Sequence, residues 1–581
     1  MKNISRKTAL AGALVLALAC GGLAGCSSES SDSSGTSSEA TGEGGSGSIV
    51  CESDYVGAES DDINAWLADT VYDVDAQAAI AEDLDSQKDG QTLSDPLIVY
   101  NPFGTNSQSL YVYFNTDEAA SISYTVSVSD EEAATIEDES FTADSIADFT
   151  RDVNDGESAT EHEFMLIGLI PTVENTVTIT ASYEDGTTES YELACDMCDV
   201  LGGEELQLDI EEGTSDEELA DGLYAVMGAE LEEGINAAYL YDNDGILRGE
   251  VPVIRRVQRF IEENDLLYYS DTDTSVVAMN EIGQIVSRYV LNEDGDYTLH
   301  HDYIVNDENH LLVLGTDKES DTMEDLVLSY DLETGELDAV VDLGDLLGSY
   351  KEEALAYHEA NADTSLDDEE NADGETGVDW LHINAIQWMG DDTVLLSSRE
   401  TSTIMKISDI YGTPTLEYFI SSEEYWEDTE YADYVLEQVG DFTVNGGQHS
   451  IEIFEDDSLE DGQYYLGMFD NNVGVSNATT SDFDYSSVGL TNTMASTADD
   501  GAVSYYYKYL VDENEGTFEL VYSIELPFSG YGSGAWSYGD HVVSNSATQL
   551  GFNEYDADGE LICNFTMDSA SIIYRVFKYD W

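Results

Sequence analysis

Asn309-His-Leu-Leu-Val-Leu-Gly315 followed by Leu326-Val-Leu-Ser-Tyr-Asp331, then Asp392-Thr-Val-Leu-Leu-Ser-Ser398 followed by Thr403-Ile-Met-Lys-Ile407, share one grammar. A short apolar strand leaves an acidic or glycine turn, crosses a polar gap and returns as a second strand ending at an Asp or Gly turn. The same pattern runs from Asn264-Asp-Leu-Leu-Tyr-Tyr-Ser270 to Val276-Val-Ala-Met279 and from His541-Val-Val-Ser544 to Gly551-Phe-Asn-Glu-Tyr555, with a further strand at Gln463-Tyr-Tyr-Leu-Gly467. Short apolar runs bounded by turn residues read as strands. Repeated with almost no helix between them, they predict an all-β fold, a β-propeller whose radial repetition leaves only short, protected edges; about six blades fit between Gly234 and Trp581.

Outward from these repeats the pattern changes. Leu347 to Ala362 and Glu423 to Val439 read as helical insertions decorating one face, Asp367 to Glu375 as a solvated acidic loop, and Ser215 to Leu231 as a helical connection. Upstream, strict alternation in Leu110-Tyr-Val-Tyr-Phe114, Ser121-Ile-Ser-Tyr-Thr-Val-Ser127 and Val177-Thr-Ile-Thr-Ala-Ser-Tyr183 predicts an antiparallel β-sandwich over residues 96–200, ahead of a propeller over 201–581. Leu166-Ile-Gly-Leu-Ile-Pro171 before Asn175-Thr-Val-Thr-Ile179 is similar to the loop and strand of fibronectin-like sandwiches. Ile63, Trp66, Leu67, Val71 and Val74 fall at helical spacing, so residues 61–95 read as a helical lead-in.

Residues 1–25 carry Lys2, Arg6 and Lys7 before an apolar run from Ala9 to Ala19, the pattern of a secretory signal. Leu23-Ala-Gly-Cys26 resembles a bacterial lipobox, which makes Cys26 the expected lipidated first residue of the mature chain; Cys20 fits less well, with Ala17 three residues before it. The expectation is an exported protein, lipid-anchored at the outer face of the bacterial cytoplasmic membrane and meeting the membrane through that anchor alone. Residues 26–60, Ser/Gly/Glu-rich through Ser48, read as a disordered tether. The formal net charge is −107, which excludes nucleic acid as a partner. Such charge mostly solvates a surface, and its reach is screened within roughly 8 Å at physiological salt, so an anion can still enter a locally cationic pocket. With only 17 Lys and Arg against 124 Asp and Glu, Arg399 and Lys406 stand out. A homo-oligomer is compatible with all of this.

Four cysteines follow Cys26: Cys51, Cys195, Cys198 and Cys563. Cys195-Asp-Met-Cys198 admits a redox motif, half of a zinc site, or a local or shared structural disulfide. Without a second such pair, or a βα context for a thioredoxin-like motif, structural or unpaired thiols are the expectation.

Three motifs concentrate the rare residues: Trp380-Leu-His-Ile-Asn384, Ser397-Ser-Arg-Glu400 and Gly447-Gln-His-Ser450, with His300-His-Asp302 opening an earlier block. Propellers gather equivalent blade positions around a central channel, so His301, His382 and His449 are expected to form a ring of imidazoles at one channel mouth, with Arg399 pointing inward beside them. The chain has eight His; in aromatic-rich strands a lone one is usually packed and hydrogen-bonded, the reading for His162, His310, His358 and His541. Three imidazoles are also a donor set for zinc or copper. Quinone-cofactor dehydrogenases are propellers too, but Trp380, Trp388, Trp426 and Trp536 share no period.

Asp379-Trp-Leu-His-Ile-Asn384, Ser397-Ser-Arg399, Gln448-His449, His300-His-Asp302 and the closing Ile573-Tyr-Arg575 resemble the bacterial arylsulfate sulfotransferases, and Asn101-Pro-Phe-Gly104 with Gly168-Leu-Ile-Pro171 extends the resemblance over residues 96–581. It implies a six-bladed propeller that moves a sulfuryl group from a phenolic sulfate ester to a phenol through a sulfated histidine, with no nucleotide sulfate donor, cofactor or metal. Carried over motif by motif, His449 is the transferring residue; His382, Arg399 and His300 or His301 contact the sulfuryl or bridging oxygens, and Asn384 assists substrate binding. His301 is favoured over His300, because His-Asp there parallels the family's Gln-His-Asp. Ser450 stands where the family commonly has Asp, and Asp470-Asn-Asn472 replaces Asp-Asn-Gly, which leaves the orienting partner of His449 open. The competing reading is a non-catalytic, lipid-anchored propeller that binds a glycan, peptide or protein.

Overall fold

The computed structural model describes residues 45–580 apart from 52, 54, 137–140, 144, 203–204, 229, 232–234, 292–296, 362–376, 455, 457, 476–477, 479 and 568–569. The apolar leader, Cys26 and the acidic run 367–375 lie outside the described residues. No described helix is long and apolar enough to cross a membrane.

Six antiparallel sheets form the propeller. Blade 2 holds Ile261–Glu263, Leu266–Thr272, Ser275–Met279 and Ile285–Val290; blade 3 holds Tyr297–Val305, His310–Asp317, Leu326–Asp331 and Leu337–Asp342. Blade 4 follows with Ile383–Gly390, Thr393–Ser398, Thr403–Ser408 and Thr415–Ile420. Blade 5 pairs His449–Phe454, Gln463–Asp470, Val503–Asp512 and Thr517–Pro527, and adds Glu437–Val439 in parallel at its outer edge. The middle strands of each blade are apolar on both faces because neighbouring blades cover both, as in Val394 to Leu396, all fully buried.

The ring closes with strands borrowed from both ends. Blade 1 takes Leu223–Met227, Asn236–Tyr241 and Leu247–Val253 from its start, but its channel-side strand, Arg575–Tyr579, comes from the end of the chain and pairs with Leu223–Met227. Blade 6 builds Gly534–Tyr538, His541–Ser546, Gly551–Tyr555 and Leu561–Thr566, and receives Asp209–Glu212 at its outer edge. The expected helix over Ser215 to Leu231 is therefore not there. Leu223 to Met227 is a run of five buried residues, and periodicity alone cannot separate such a run from a buried helical turn. The insertion at Leu347 to Ala362 is helical, as Leu343–Leu346 and Gly348–Asn361. The one at Glu423 to Val439 is helical only over Glu423–Trp426 and a single turn at Ala432–Tyr434, before the blade-5 edge strand takes over.

Upstream, the long strand Leu110–Ser127 serves both halves of the sandwich. Its first part pairs with Leu97–Tyr100 and Ala159–Leu166, its second with Phe149–Asp152 and Glu174–Tyr183. Helices Ser60–Trp66 and Val74–Asp85 form the lead-in, joined by a π-helical turn at Leu67–Val71. Ile63, Leu67, Val71 and Tyr72 share one apolar core with sandwich residues and with blades 1 and 2. Polar contacts fix the join: Tyr72 donates to the Pro252 carbonyl at 2.6 Å, and buried Glu250 accepts the backbone N–H groups of Leu201 at 3.0 Å and Gly202 at 2.6 Å.

The disordered tether expected over 26–60 ends early. Gly45–Val50 is an edge strand lying parallel to Thr188–Asp196, and Cys51 is disulfide-bonded to Cys198. An added edge strand needs backbone pairing rather than apolar side chains, so composition did not reveal it. Glycine suits the approach: a Cβ on Gly47 would lie 2.1 Å from the Tyr191 hydroxyl and would have to displace it. Of the alternatives for the cysteines, the structure has a disulfide shared between distant segments, while Cys195 and Cys563 are buried free thiols.

Candidate active site

The innermost strands of blades 3, 4 and 5 are each irregular at the same end. His301 (φ 51°), His382 (φ 51°) and Ser450 (φ 46°) all occupy the left-handed region, sparsely populated by residues other than Gly. Pairing slips there too: Leu299 opposes Gly315 but Tyr303 opposes Val313, Ile383 and Ala385 oppose consecutive residues, and so do His449 and Ile451. Bulges of this kind redirect side chains. They turn the histidines toward the channel, although the positions are not strictly equivalent as expected: His449 begins its strand, His382 precedes its strand, and His301 lies within its own.

The imidazole of His449 is 2% exposed as a residue and held by one nitrogen. Its Nδ1 lies 2.7 Å from Asn471 Oδ1 and 3.2 Å from the Gly447 carbonyl. The Asn471 amide is itself oriented, since its Nδ2 donates to the carbonyls of Ser529 (2.9 Å) and Gly532 (3.2 Å). Two acceptors therefore face Nδ1, which must carry the proton, and Nε2 is left with its lone pair. Burial, reinforced by the Arg399 and His382 charges, holds this imidazole well below its ordinary pKa, against the pull of Asn471. The Ser450 hydroxyl accepts the Ala535 N–H at 3.1 Å and ties blade 5 to blade 6. Asn471, inside the departing Asp470-Asn-Asn472 motif, is the orienting partner.

His382 has the opposite surroundings. Its Nδ1 lies 2.5 Å from Glu324 Oε2 and 2.7 Å from Asp379 Oδ2. Burial and the Arg399 charge disfavour the imidazolium, but the two carboxylates outweigh them and push the pKa up to about 9. Nε2 of His382 is buried without a hydrogen-bond partner. The His301 ring packs edge-on against His382 with centroids 4.5 Å apart, and its Nδ1 meets His300 Nδ1 at 3.1 Å. Burial first, then the neighbouring cations, drive His301 well below its ordinary pKa.

Arg399 follows the second strand of blade 4 and is clamped by Glu400 Oε1 (2.9 Å from Nε, 2.6 Å from Nη2) and by Asp379 Oδ2 at 3.2 Å. Gly447 is beside it, a Cβ there lying 3.9 Å from Arg399 Cγ. A cleft of about 130 Å³ opens onto Arg399 and Glu400, with Val473, Phe483, Tyr485 and Met494 as its apolar wall. Thus His301, His382 and Arg399 are gathered by direct contacts, and His449 is near enough to feel the charges of His382 and Arg399.

Asn384 is fully buried and donates to the Gln448 carbonyl at 2.9 Å, so it steadies the peptide carrying His449. Arg575 is buried at the channel end of blade 1, 2.9 Å from Asp302 and 3.0 Å from the Asn384 carbonyl. Lys406, singled out for its rarity, pairs with Glu513 at 2.5 Å and belongs to the scaffold. His162, His310, His358 and His541 also sit elsewhere, on Thr116, Asp331, the Ala478 carbonyl and Glu554. His300, His301 and Glu324 bring one ligand atom each within 4.8 Å of one another, as do Glu324, Asp379 and His382. Imidazole and carboxylate would suit zinc, though both carboxylates already hold His382. Sequence reading missed Glu324 and the role of Glu400 because acidic residues are everywhere in this chain.

The propeller thus gathers imidazoles and a guanidinium at one end, with the guanidinium facing a cleft partly walled by aromatic residues. The chain belongs to the arylsulfotransferase (ASST) family, whose profile matches residues 209–575, while the arylsulfotransferase Ig-like domain matches residues 97–197. It is an aryl-sulfate sulfotransferase. No curated protein sequence matches it significantly. Among solved structures, similarity is distant. Virginiamycin B lyase from Staphylococcus aureus is 9% identical, with 69% of this chain and 93% of that one covered at TM-score 0.25. An auxiliary nutrient binding protein from Bacteroides thetaiotaomicron is 7% identical, covering 81% and 87% at 0.29. BamB from Moraxella catarrhalis is 9% identical, covering 64% and 87% at 0.23.

Proposed function

We propose that the enzyme transfers sulfuryl groups from phenolic sulfate esters to phenols in two half-reactions through a sulfated His449. The observation that carries this is the fixed tautomer of His449: Asn471 and Gly447 hold the proton on Nδ1, which leaves Nε2 as a nucleophile at neutral pH. In the first half-reaction Nε2 bonds to sulfur while the S–O bond to the phenol breaks, and the departing phenolate takes a proton from Nε2 of His382. In the second, neutral His382 accepts the proton of an incoming phenol, whose oxygen displaces the imidazole from sulfur. Phenols ionise near ~10, so donor and acceptor are matched and the cycle is reversible. Arg399 presents a permanent charge to the sulfuryl oxygens. Neutral His301, with His300 beside it, completes the imidazole cluster, and Asn384, whose Nδ2 steadies the Gln448 peptide, offers its unpartnered Oδ1 to substrate.

Turnover of a chromogenic aryl sulfate with added phenol tests the scheme. His449→Asn is expected to abolish transfer, and withholding acceptor from the native enzyme is expected to leave a sulfated His449 detectable by mass spectrometry. Activity surviving in His449→Asn would move the nucleophile elsewhere. Cys26 is proposed as a lipid anchor at the outer face of the cytoplasmic membrane, supported by the lipobox-like Leu23-Ala-Gly-Cys26; release of Cys26→Ser from the membrane fraction tests it.

A further inference from the structure

Glu324 stands between the two imidazoles of blades 3 and 4. One of its oxygens lies 2.5 Å from His382 Nδ1 and the other 3.8 Å from His301 Nδ1. The residue is 5% exposed and its backbone is left-handed, at φ 57°. Strain of this kind persists only where the surroundings over-determine it, and here they do. The Glu324 N–H donates to Thr316 Oγ1 at 3.0 Å, and its carbonyl accepts the Ile383 N–H at 3.1 Å, the first residue of the strand behind His382. The neighbouring Asp325 carboxylate takes the Trp380 indole N–H at 2.8 Å and the Thr322 hydroxyl at 2.7 Å. A loop of blade 3 is thus locked onto blade 4 on either side of Glu324. Asp379 also reaches His382, but it shares its oxygen with Arg399.

We propose that Glu324 is a positioning residue for sulfuryl transfer: its carboxylate holds His382 as the proton-loaded acid, with Nε2 aimed at the departing phenolic oxygen, while leaving His301 neutral. The proposal rests on the two-step scheme above. The charged and titratable groups facing His382 are Glu324 and Asp379, Arg399 with its partner Glu400, His301 with His300 beside it, and His449 across the channel. Only Glu324 and Asp379 favour the imidazolium through direct contact. Asp379 shares its contacting oxygen with the guanidinium, whereas Glu324 places one oxygen on His382 and turns the other toward His301.

The test is the dependence on leaving group. Glu324→Gln removes the charge beside His382 Nδ1 and leaves in place the hydrogen bond of that nitrogen with Asp379. With phenyl sulfate, whose phenolate needs the proton, kcat/KM is expected to fall at least ~10-fold more than with an activated nitrophenyl ester, within the 10²–10⁴-fold that a positioned acid contributes. The basic limb of the pH–rate profile should move to lower pH. Equal losses on both esters, with the limb unmoved, would overturn the proposal, since a merely structural carboxylate affects both alike. If Glu324→Gln does not fold, Glu324→Asp keeps the charge but retracts it by one methylene; a selective, smaller loss on phenyl sulfate is expected, and equal losses again overturn the idea. His449→Asn measured alongside separates the claims. Its survival as an active enzyme would remove the covalent scheme, whereas equal ester losses with His449→Asn inactive would remove only the role of Glu324.

Discussion

Blades 5 and 6 start alike and end in different chemistry. In blade 5, Ser450 sits at φ 46° and the residue before it is His449, held by Asn471. In blade 6, Ser533 sits at φ 81° before the strand Gly534–Tyr538, preceded by Gly532, and its hydroxyl accepts the Ala547 N–H at 3.0 Å. The strained backbone at the inner strand is thus a property of the fold, used for closure in one blade and for presenting an imidazole in the next. Even the orienting amide spans the two, because Asn471 is fixed by carbonyls of Ser529 and Gly532 from the approach to blade 6. Function here depends on which side chain the bulge holds and what pins that side chain from the neighbouring blade.

The largest effect expected from breaking this comparison, after loss of the nucleophile itself, is at the pin. Asn471→Leu removes the Nδ1 acceptor and frees the amide's two blade-6 contacts, so His449 can adopt the other tautomer or rotate. Loss of the hydrogen-bond partner that orients a metal-bound histidine costs roughly 10–100-fold, and by analogy kcat is expected to fall by about that much with the fold intact, checked by circular dichroism. A variant with native kcat would show that Gly447 alone orients the ring.

Next in size is the pH profile, which sets His449 against His382. His449 lies well below ~6.5, so protonation removes the nucleophile only on the acid side; His382 is raised to about 9, so the acid is lost as pH rises through that value. The phenol-dependent rate should hold a plateau between those limits and decline above pH about 9. A decline centred near ~6.5 would mean that Glu324 and Asp379 do not hold the imidazolium. Because both carboxylates are already engaged by His382, treatment with a chelator is expected to leave the rate unchanged; restoration by zinc after such treatment would reassign the cluster His300, His301 and Glu324 as a metal site.

How much of this was legible follows from what each signal competes with. Imidazoles and arginines are rare in the chain, so His300, His301, His382, Arg399 and His449 stood out, and the repeated strand grammar placed them on successive blades. The counter-charges did not stand out. Glu324 and Glu400 are two acidic residues among 124 Asp and Glu, and what distinguishes them is contact with His382 and Arg399, which only the fold brings about. Asn471 and Arg575 lay inside motifs that could be quoted, yet their partners are hundreds of residues or a whole blade away. Leu223–Met227 misled for a different reason, since a strand covered on both faces carries no alternation.

The smallest effect should come in the sandwich, where an edge strand is held by a disulfide and backbone pairing with little side-chain packing. Gly45–Val50 alternates between half-buried and exposed residues, so the disulfide from Cys51 to Cys198 and six backbone pairs, with the half-buried Ile49 side chain against the core, are what retain it. A disulfide across a long loop ordinarily contributes about 2–4 kcal/mol by restricting the unfolded chain. In Cys51→Ser the terminal strand can open by itself, without unfolding the sandwich, so much of that contribution should appear as local opening. Amide exchange at residues 46–50 should accelerate sharply while sulfuryl transfer stays native. Gly47→Val, whose Cβ would meet the Tyr191 hydroxyl at 2.1 Å, should free the same strand with the disulfide intact. If either change slowed transfer, the edge strand would be coupled to the channel through the shared core of sandwich and blades 1 and 2, and the division between scaffold and site drawn from blades 5 and 6 would have to be moved.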